Sequence, residues 1–427
     1  MSLNLYDTAS IKTNIYNCRY YLKVTTFVNM QLGGDWIGNI VWLLLFIVMM
    51  FFYPRLMVGQ MIWRLQQTVD MLSGLTVDAK KIVLKKVSKT PSKELKDTIN
   101  NFMEFFVIEP VSLDPYGIVR KIEHLSDLYE DKLKHFSKGI APSLDAESRA
   151  NLAMSLSGAT SLHQIEKIVR HFVEQIKKTK NLQLAMILQM QLPMVEKIAK
   201  ALLRGTEAFA NGWPVGDSIG PMVAAHLIDN SKVKELDDET LVVRKKVAGK
   251  DVIIIKAKGP GSRLGTLGKH VDKIIKKEKI SSIITVDAAL KLEGEKTGSI
   301  AEGVGVAIGG IGVDRSYIES ISTARKIPLD TVVVKMSQEE AITPMAGDIL
   351  DALPRAKKLV EERVSESKGK VIIVGVGNTV GVANDKKSAI AMEPTIRKNA
   401  HIMKHIEEEE KKREKGKFGW ITGPLGF

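Results

Sequence analysis

The sequence predicts an α/β protein attached to a membrane: an N-terminal transmembrane helix, a helical middle domain, then a mostly parallel sheet with flanking helices. An uncharged apolar run lies near the N-terminus, and helical apolar spacing follows it. After Gly212, short β-branched runs alternate with glycine-rich turns and helices. These changes set the predicted boundaries: a short extracytoplasmic N-terminus at 1–35, the transmembrane helix at 36–54, a juxtamembrane helix and basic connector at 55–91, the helical domain at 92–211, the α/β domain at 212–400 and a charged tail at 401–427.

The apolar run at 36–54 carries no charge and lies between Asp35 and Arg55. At about 1.5 Å per residue it would form a helix roughly 28 Å long, close to the bilayer core of about 30 Å. A cleaved signal peptide fits poorly, because the run begins late and no small-residue cleavage site follows it. A buried core helix is the other alternative, and the run is long for one.

Basic residues flank this run unequally, with three in residues 1–35 and seven in residues 55–90. The positive side of a transmembrane helix stays in the cytoplasm. We therefore expect a single-pass protein of the cell membrane, with its N-terminus outside and its body in the cytoplasm.

The composition of the chain limits the kinds of binding partner that we expect. The formal net charge is +13 and the single cysteine is Cys18, which excludes an internal disulfide and a cysteine metal cluster. The positive charge is spread along the chain without an RNA-binding motif, so we expect no specific nucleic acid. Attraction to an anionic membrane surface explains the charge more simply.

Apolar residues of the helical domain recur at helical spacing, and no pattern in this domain predicts a catalytic or binding site. One face collects Leu162, Ile165, Val169 and Phe172 at helical spacing. Three methionines recur every four residues and are expected to fill a core rather than line a cofactor site: Met186, Met190 and Met194.

Past Gly212 the runs of β-branched residues predict strands, and the segments between them predict helices. Such an alternation indicates a parallel sheet covered on both faces. The expected strands are 252–255, 282–286, 331–334 and 371–374, and the clearest helices are 266–278 and 346–365.

Ligands of open α/β sheets bind beyond the carboxyl ends of the strands, and two aspartates fall there. Asp217 lies in a Gly-Asp-Ser-Ile-Gly-Pro segment that opens a helix, and Asp287 follows strand 282–286. Each alone could be a helix cap. Together they could share a site in which one carboxyl keeps its proton and the other activates water against an amide.

Two glycine-rich segments also follow strands. The loop 259–265 could cradle a phosphate at a helix N-terminus, although it matches neither the Walker A nor the dinucleotide pattern and could be a tight turn only. The turn 375–378 follows the last strand. The candidate ligand-binding residues are Gly259, Gly261, Arg263, Gly265, Gly375, Gly377 and Asn378.

The C-terminal half resembles an archaeal family of membrane-associated proteins of unknown function. The cues are the segments Gly-Trp-Pro-Val-Gly-Asp-Ser-Ile-Gly-Pro at 212–221, Gly-Pro-Gly-Ser-Arg-Leu-Gly at 259–265 and Val-Gly-Val-Gly-Asn-Thr-Val-Gly-Val at 374–382. Asp-Ser-Ile-Gly-Pro at 217–221 and Thr-Val-Asp-Ala-Ala-Leu at 285–290 are similar to segments of spore germination proteases, which share a fold with hydrogenase maturation endopeptidases. That resemblance implies a catalytic pair at Asp217 and Asp287.

In those proteases a strand and a Gly-x-Gly-Asn turn come just before the Asp-x-x-Gly-Pro helix. Here 195–210 is expected to be helical, and Gly-Val-Gly-Asn occurs at 375–378. A circular permutation would explain the difference. It predicts that strand 371–374 lies in the same sheet as 252–255, 283–286 and 331–334, beside the helix that starts at Ile219.

These observations support two hypotheses about the function of the protein, and a third remains possible on the sequence alone. The first is a membrane-anchored hydrolase of peptidase type that acts on a protein or peptide through the aspartate pair. The alternative is a non-catalytic module that binds a phosphate-bearing ligand or a partner protein through the glycine-lined crevice, and a structural adaptor is the third. We expect no cofactor. We also expect no metal: His226 lies about 13 Å along a helix from Asp217, too far to share an ion, and the remaining nearby histidine, His270, follows the glycine-rich loop.

Overall fold

The computed structural model describes residues 36–108, 117–305 and 313–418. The predicted extracytoplasmic N-terminus 1–35 and the last part of the tail, 419–427, lie outside the described residues. The remainder of the tail, 401–418, belongs to a long C-terminal helix.

The first helix, α1, extends from Trp36 to Val87 without a break, so the predicted transmembrane and juxtamembrane segments are one helix. Its apolar first part is exposed, with Trp42 at 72% and Phe46 at 64%. It is the one helix of the described chain that is long and apolar enough to cross a membrane. Its second part packs into the protein, where Leu65 and Leu72 are fully buried.

Where the structure describes it, the helical region contains four further helices: α2 Lys93–Met103, α3 Ile118–Ile140, α4 Ala146–Thr179 and α5 Leu182–Asn211. Side chains cap the starts of three of them, because the Ser92 hydroxyl, the Asp145 carboxylate and the Asn181 amide each accept a first-turn N–H. Gly212 ends α5 in the left-handed conformation, with φ of 68°.

The face predicted on α4 lies only partly in the core of this region: Leu162 and Val169 are buried and Ile165 packs against that core, but Phe172 is 37% exposed. The prediction that the α5 methionines fill the core is wrong. Met186, Met190 and Met194 are 48%, 78% and 55% exposed, because α5 turns its opposite face toward α1 and α4. A spacing of four residues identifies one face of a helix but not the side on which its neighbours lie.

The α/β region begins with a 3-10 turn at Gly216–Ser218, and its described residues form six helices and seven strands. The helices are α6 Ile219–Ile228, α7 Leu267–Lys277, α8 Val313–Arg325, α9 Gln338–Ile342, α10 Gly347–Glu366 and α11 Lys386–Phe418. The strands are β1 Lys234–Glu235, β2 Thr240–Val247, β3 Lys250–Ala257, β4 Ser282–Leu290, β5 Ile300–Val304, β6 Leu329–Met336 and β7 Val371–Gly375.

The strands form one sheet in the order β1-β2-β3-β7-β4-β6-β5. The four central strands are parallel, as predicted, and the antiparallel strands at the two edges were not identified from the sequence. The last strand lies at the centre, with Ile373 opposite both Ile254 and Ile284. The prediction that 371–374 joins the other three strands is therefore confirmed.

Alternate residues of the central strands point to two different cores. Ile254 and Ile373 belong to the core under α6, α10 and α11. Ile253 and Ile372 belong to the core under α7 and α8. Burial on both faces explains why these strands appear in the sequence as continuous β-branched runs rather than as alternating patterns.

Candidate active site

Asp217 lies where helix α6 meets the carboxyl ends of β4 and β7. The close approach depends on Gly220, because a Cβ there would lie 2.1 Å from the Val376 carbonyl oxygen and 2.4 Å from the Val286 carbonyl oxygen. Only glycine lets the helix backbone come so near to both strands. The Asp-x-x-Gly pattern therefore has a steric reason, and its result is to place Asp217 at the edge of the sheet.

The turn after β7 holds the Asp217 carboxylate. The Asn378 backbone N–H donates to Asp217 Oδ2 at 2.8 Å. Gly377 has φ of 128°, and a Cβ there would lie 2.0 Å from the Asp217 carbonyl oxygen. Gly375 is the last residue of β7 and faces Ala224 of α6. The predicted Gly-x-Gly-Asn turn thus contacts Asp217 directly.

Asp287 lies within β4 rather than after it, which corrects the predicted strand end. β4 continues beside β6 to Leu290, while its pairing with β7 stops at Val286 opposite Gly375. Asp287 therefore lies where the neighbouring strand turns away. It is 1% exposed, and its Oδ1 accepts the Ala288 N–H at 2.7 Å.

The structure brings the two aspartates to one cavity of about 300 Å³, which Val376 and Gly377 also line. Burial raises the pKa of the Asp217 carboxyl, against the lowering effect of the Asn378 N–H. A carboxyl held in this way favours its protonated form, which is the state that an acid catalyst requires.

Further carboxylates line the same cavity, and no local sequence pattern connected them with the site. Burial, and next the charge of Glu239, raise the pKa of Glu130 on α3. Burial likewise raises the pKa of Asp314 at the start of α8. The carboxylates come from five separate parts of the chain: Glu123, Asp127, Glu130, Asp217, Glu239, Asp287 and Asp314, with Lys269 as the basic residue among the lining side chains.

A second, larger cavity of about 680 Å³ adjoins the first, and both are lined by Asp217 and Leu264. Its walls come from α4, α5, the end of β4 and α9, and they are largely apolar. Asn378 lines it as well. Residues from four distant elements form it, so no local pattern could have predicted it.

The glycine-rich loop 259–265 binds the helical region rather than an open crevice. The Gly261 N–H donates to Glu147 Oε2 at 2.6 Å, and the Arg263 guanidinium donates to both oxygens of the same carboxylate at 2.5 and 3.1 Å. Glu147 lies in the first turn of α4. The Glu147 carboxylate therefore occupies the position beside Gly261 and Arg263 where a phosphate was expected to bind.

The other predicted ligands in this loop also have partners within the chain. The Gly259 N–H donates to Asn384 Oδ1 at 2.9 Å, and Gly265 has φ of 73° beside Thr240. The Ser262 hydroxyl donates to Asn378 Oδ1 at 2.9 Å. The loop therefore connects α4 to the turn that holds Asp217.

The histidines considered for metal binding lie elsewhere. His226 is buried, and burial followed by the charges of Lys386 and Lys357 lowers its pKa to about 4. His270 Nε2 lies 2.6 Å from Asp237 Oδ2. Among the described residues there is no group of three or more His, Cys, Asp or Glu side chains suited to a metal ion.

These features define a class: an α/β protein with a helical region, one helix able to span a membrane and a two-aspartate cavity at the sheet edge. Residues 39–212 match the N-terminal domain of a protein of unknown function (DUF1512), and residues 215–383 match the DUF1512 C-terminal domain. The two matches together cover most of the chain, which belongs to the DUF1512 family.

Other comparisons add little. No curated protein matches the sequence. Among solved structures, the chain is similar to a proteasome-assembly chaperone homologue from Mycobacterium tuberculosis, with 13% identity and a TM-score of 0.23. The match covers 35% of this chain and 81% of that one. A likeness this slight carries no argument about fold or function.

We expect substitution of Glu147 by Gln to lower the free energy of unfolding by about 1–2 kcal/mol at neutral pH, because it breaks a carboxylate–guanidinium pair that is partly exposed. Burial opposes ionisation of Glu147, but the hydrogen bonds from Arg263 and its charge prevail, so the pKa of Glu147 is lowered from its ordinary 4.5. The stabilisation is therefore complete above pH 4.5 and is lost as the pH falls through the lowered pKa.

Thermal unfolding of both proteins across pH 3 to 8 measures this difference. Glu94→Gln, at an exposed position on α2, is the control. A difference between Glu147→Gln and the unaltered protein that is independent of pH would contradict the assignment.

Proposed function

We propose that this protein is a membrane-anchored hydrolase of peptidase type, in which Asp217 and Asp287 activate water for cleavage of an amide bond. The observation that carries the proposal is that both carboxyl groups line one cavity at the carboxyl edge of the parallel sheet. Sheets of this kind bind their ligands at that edge. The raised pKa of Asp217 supports a role as the acid of the pair.

The two groups take complementary parts in the proposed reaction. Asp217 Oδ2 accepts the Asn378 N–H, so the proton of Asp217 is placed on Oδ1. The Asp287 carboxylate removes a proton from water, and the resulting hydroxide adds to the amide carbon while Asp217 protonates the carbonyl oxygen. Collapse of the tetrahedral intermediate breaks the C–N bond. Asp287 gives the proton that it took from water to the leaving amine, and Asp217 recovers a proton from a hydroxyl of the intermediate. The products are a carboxylic acid and an amine.

We also propose that the α/β region is a circularly permuted form of the germination protease fold. The support is the position of β7 between β3 and β4, with the Gly-Val-Gly-Asn turn beside the Asp-Ser-Ile-Gly-Pro helix. The last strand of this chain thus takes the place that the first strand has in those proteases. A permutation retains such a site because it changes the order of the elements and not their packing.

The non-catalytic alternative receives less support. A phosphate bound at loop 259–265 would have to displace Glu147 from Gly261 and Arg263. If the protein only bound a partner, Asp217 and Asp287 would be replaceable by Asn without loss of function, which separates the two proposals.

We further propose that the body lies in the cytoplasm, attached to the cell membrane by the exposed apolar part of α1. The support is the excess of basic residues after the span and the exposure of the apolar side chains within it. The same excess would attract the body to the anionic lipid of the inner surface.

We expect Asp217→Asn and Asp287→Asn each to reduce peptide hydrolysis by at least about a hundredfold, because acid–base catalysis contributes about 10²–10⁴-fold. Asp217→Asn should unfold at the same temperature as the unaltered protein or higher, because burial already disfavours the charged carboxylate. The unaltered protein should lose activity as the pH rises through the raised pKa of Asp217.

Cleavage of a quenched fluorescent peptide library measures the rates, and Asp351→Asn, at an exposed position on α10, is the control. Full activity in either variant of the pair would reject the aspartate mechanism.

The natural Cys18 tests the membrane orientation. We expect a membrane-impermeant maleimide to label it in intact cells, because it precedes the span. A Cys18→Ser, Ser365→Cys variant moves the thiol to an exposed site on α10 and should react only after permeabilisation. The reverse pattern would place the body outside the cell.

A further inference from the structure

The two adjoining cavities differ in chemical character, although Asp217 and Leu264 line both. The larger has about 680 Å³ and the smaller about 300 Å³, so the larger is well within the usual range of ligand pockets and the smaller is at its lower limit. A ligand that passes Asp217 would therefore extend from one chamber into the other. Its two ends would meet different surroundings.

The larger chamber is apolar. Its walls include Met154 of α4, Phe209 of α5, Leu290 of β4, Met336 of β6 and Ile342 of α9. Leu290 is 67% exposed, so a large apolar side chain remains uncovered at this chamber. Burial of apolar surface stabilises a complex in proportion to the area removed from water, so a bulky apolar side chain is the ligand group that gains most here.

The smaller chamber is acidic, and its cations do not balance its carboxylates. Lys269 binds Glu123 at 2.7 Å and lies 3.6 Å from Asp127. Lys134 binds Glu239 at 2.5 Å and lies 3.8 Å from Glu130. Two lysines therefore pair with four carboxylates, and the charge of Arg120 also acts on Glu123. Three cations thus face the seven carboxyl groups of the lining. Burial, and next the charge of Glu239, raise the pKa of Glu130 against the lowering effect of Lys134, so a cationic side chain bound beside Glu130 would stabilise its charged form.

We propose that the cleft takes a peptide segment with a bulky apolar side chain on one side of Asp217 and a lysine or arginine side chain on the other. This specificity rests on the proposed function, because it takes the bound peptide to be the substrate of the hydrolase. The apolar side chain fills the larger chamber, whose walls include α4, α5 and α9. The lysine or arginine side chain enters the smaller chamber, where its positive charge lies beside the carboxylates of α3. The peptide backbone between them crosses Asp217, where the amide to be cleaved would lie.

The test measures binding apart from cleavage. The full chain carrying Asp287→Asn, in nanodiscs of zwitterionic lipid, is titrated into labelled peptides that contain Phe-Lys, Ala-Lys or Phe-Glu at one position in an otherwise neutral sequence. Zwitterionic lipid prevents the basic peptides from binding to the membrane itself. We expect the Phe-Lys peptide to bind at least about tenfold more tightly than either of the others, and less tightly at high salt.

Two variants assign the preferences to the chambers. Glu130→Gln should reduce the preference for Lys over Glu and leave the preference for Phe over Ala, and exposed Glu94→Gln is its control. Met154→Trp should fill the apolar chamber and remove the preference for Phe, and Met190→Trp on the exposed face of α5 is its control.

Equal binding of the three peptides would overturn the proposed specificity, even if the unaltered protein cleaves peptides without preference. Selective binding of Phe-Lys with no cleavage by the unaltered protein would support the ligand class and overturn the hydrolase. The two proposals therefore fail in different ways.

Discussion

The close contact between the N-terminus of α6 and the ends of β4 and β7 determines the rest of the site. Gly220 makes this contact, since a Cβ there would lie within 2.4 Å of carbonyl oxygens from both strands. The contact places Asp217 beside the turn 375–378, whose Asn378 N–H then binds the carboxylate at 2.8 Å. Asp287 is on one of the two strands that α6 touches, so backbone packing brings both aspartates to one cavity.

The helical region supports this arrangement from above the sheet edge. Glu147 and Asn151 of α4 hold the loop 259–265, and Ser262 of that loop binds Asn378. A continuous set of hydrogen bonds thus connects α4 to the turn that holds Asp217. The same helices supply the walls of the apolar chamber, and α3 supplies carboxylates to the acidic one. The active cleft that we propose therefore requires both regions of the chain.

The sequence predicted the centre of the fold better than its edges. Continuous β-branched runs identified the four parallel strands, because burial on both faces demands such residues. The antiparallel strands β2 and β5, which lie toward the two edges, mix polar with apolar residues and were missed. On α5, the methionine spacing identified a face but not its neighbours, and that face is exposed.

For the site, local patterns singled out Asp217, Asp287 and the turn 375–378, because each was expected to follow a strand or to open a helix, although Asp287 lies within β4. They did not identify Glu147 as the partner of Arg263, because more than a hundred residues separate the two in the chain. They also did not connect the carboxylates of α3 with the sheet edge. Contacts of this kind depend on how the two regions dock, and no short pattern encodes that docking.

The most direct test of the central claim is an NMR titration of the carboxyl carbons of the two aspartates in the ¹³C-labelled protein. The account predicts that the pair retains one proton after ordinary surface aspartates have ionised, with two separate steps and the upper one assigned to Asp217. In Asp217→Asn the upper step should disappear. Independent titration of both carboxyls at the ordinary aspartate pKa of 3.8 would contradict a shared proton, and with it the proposed chemistry.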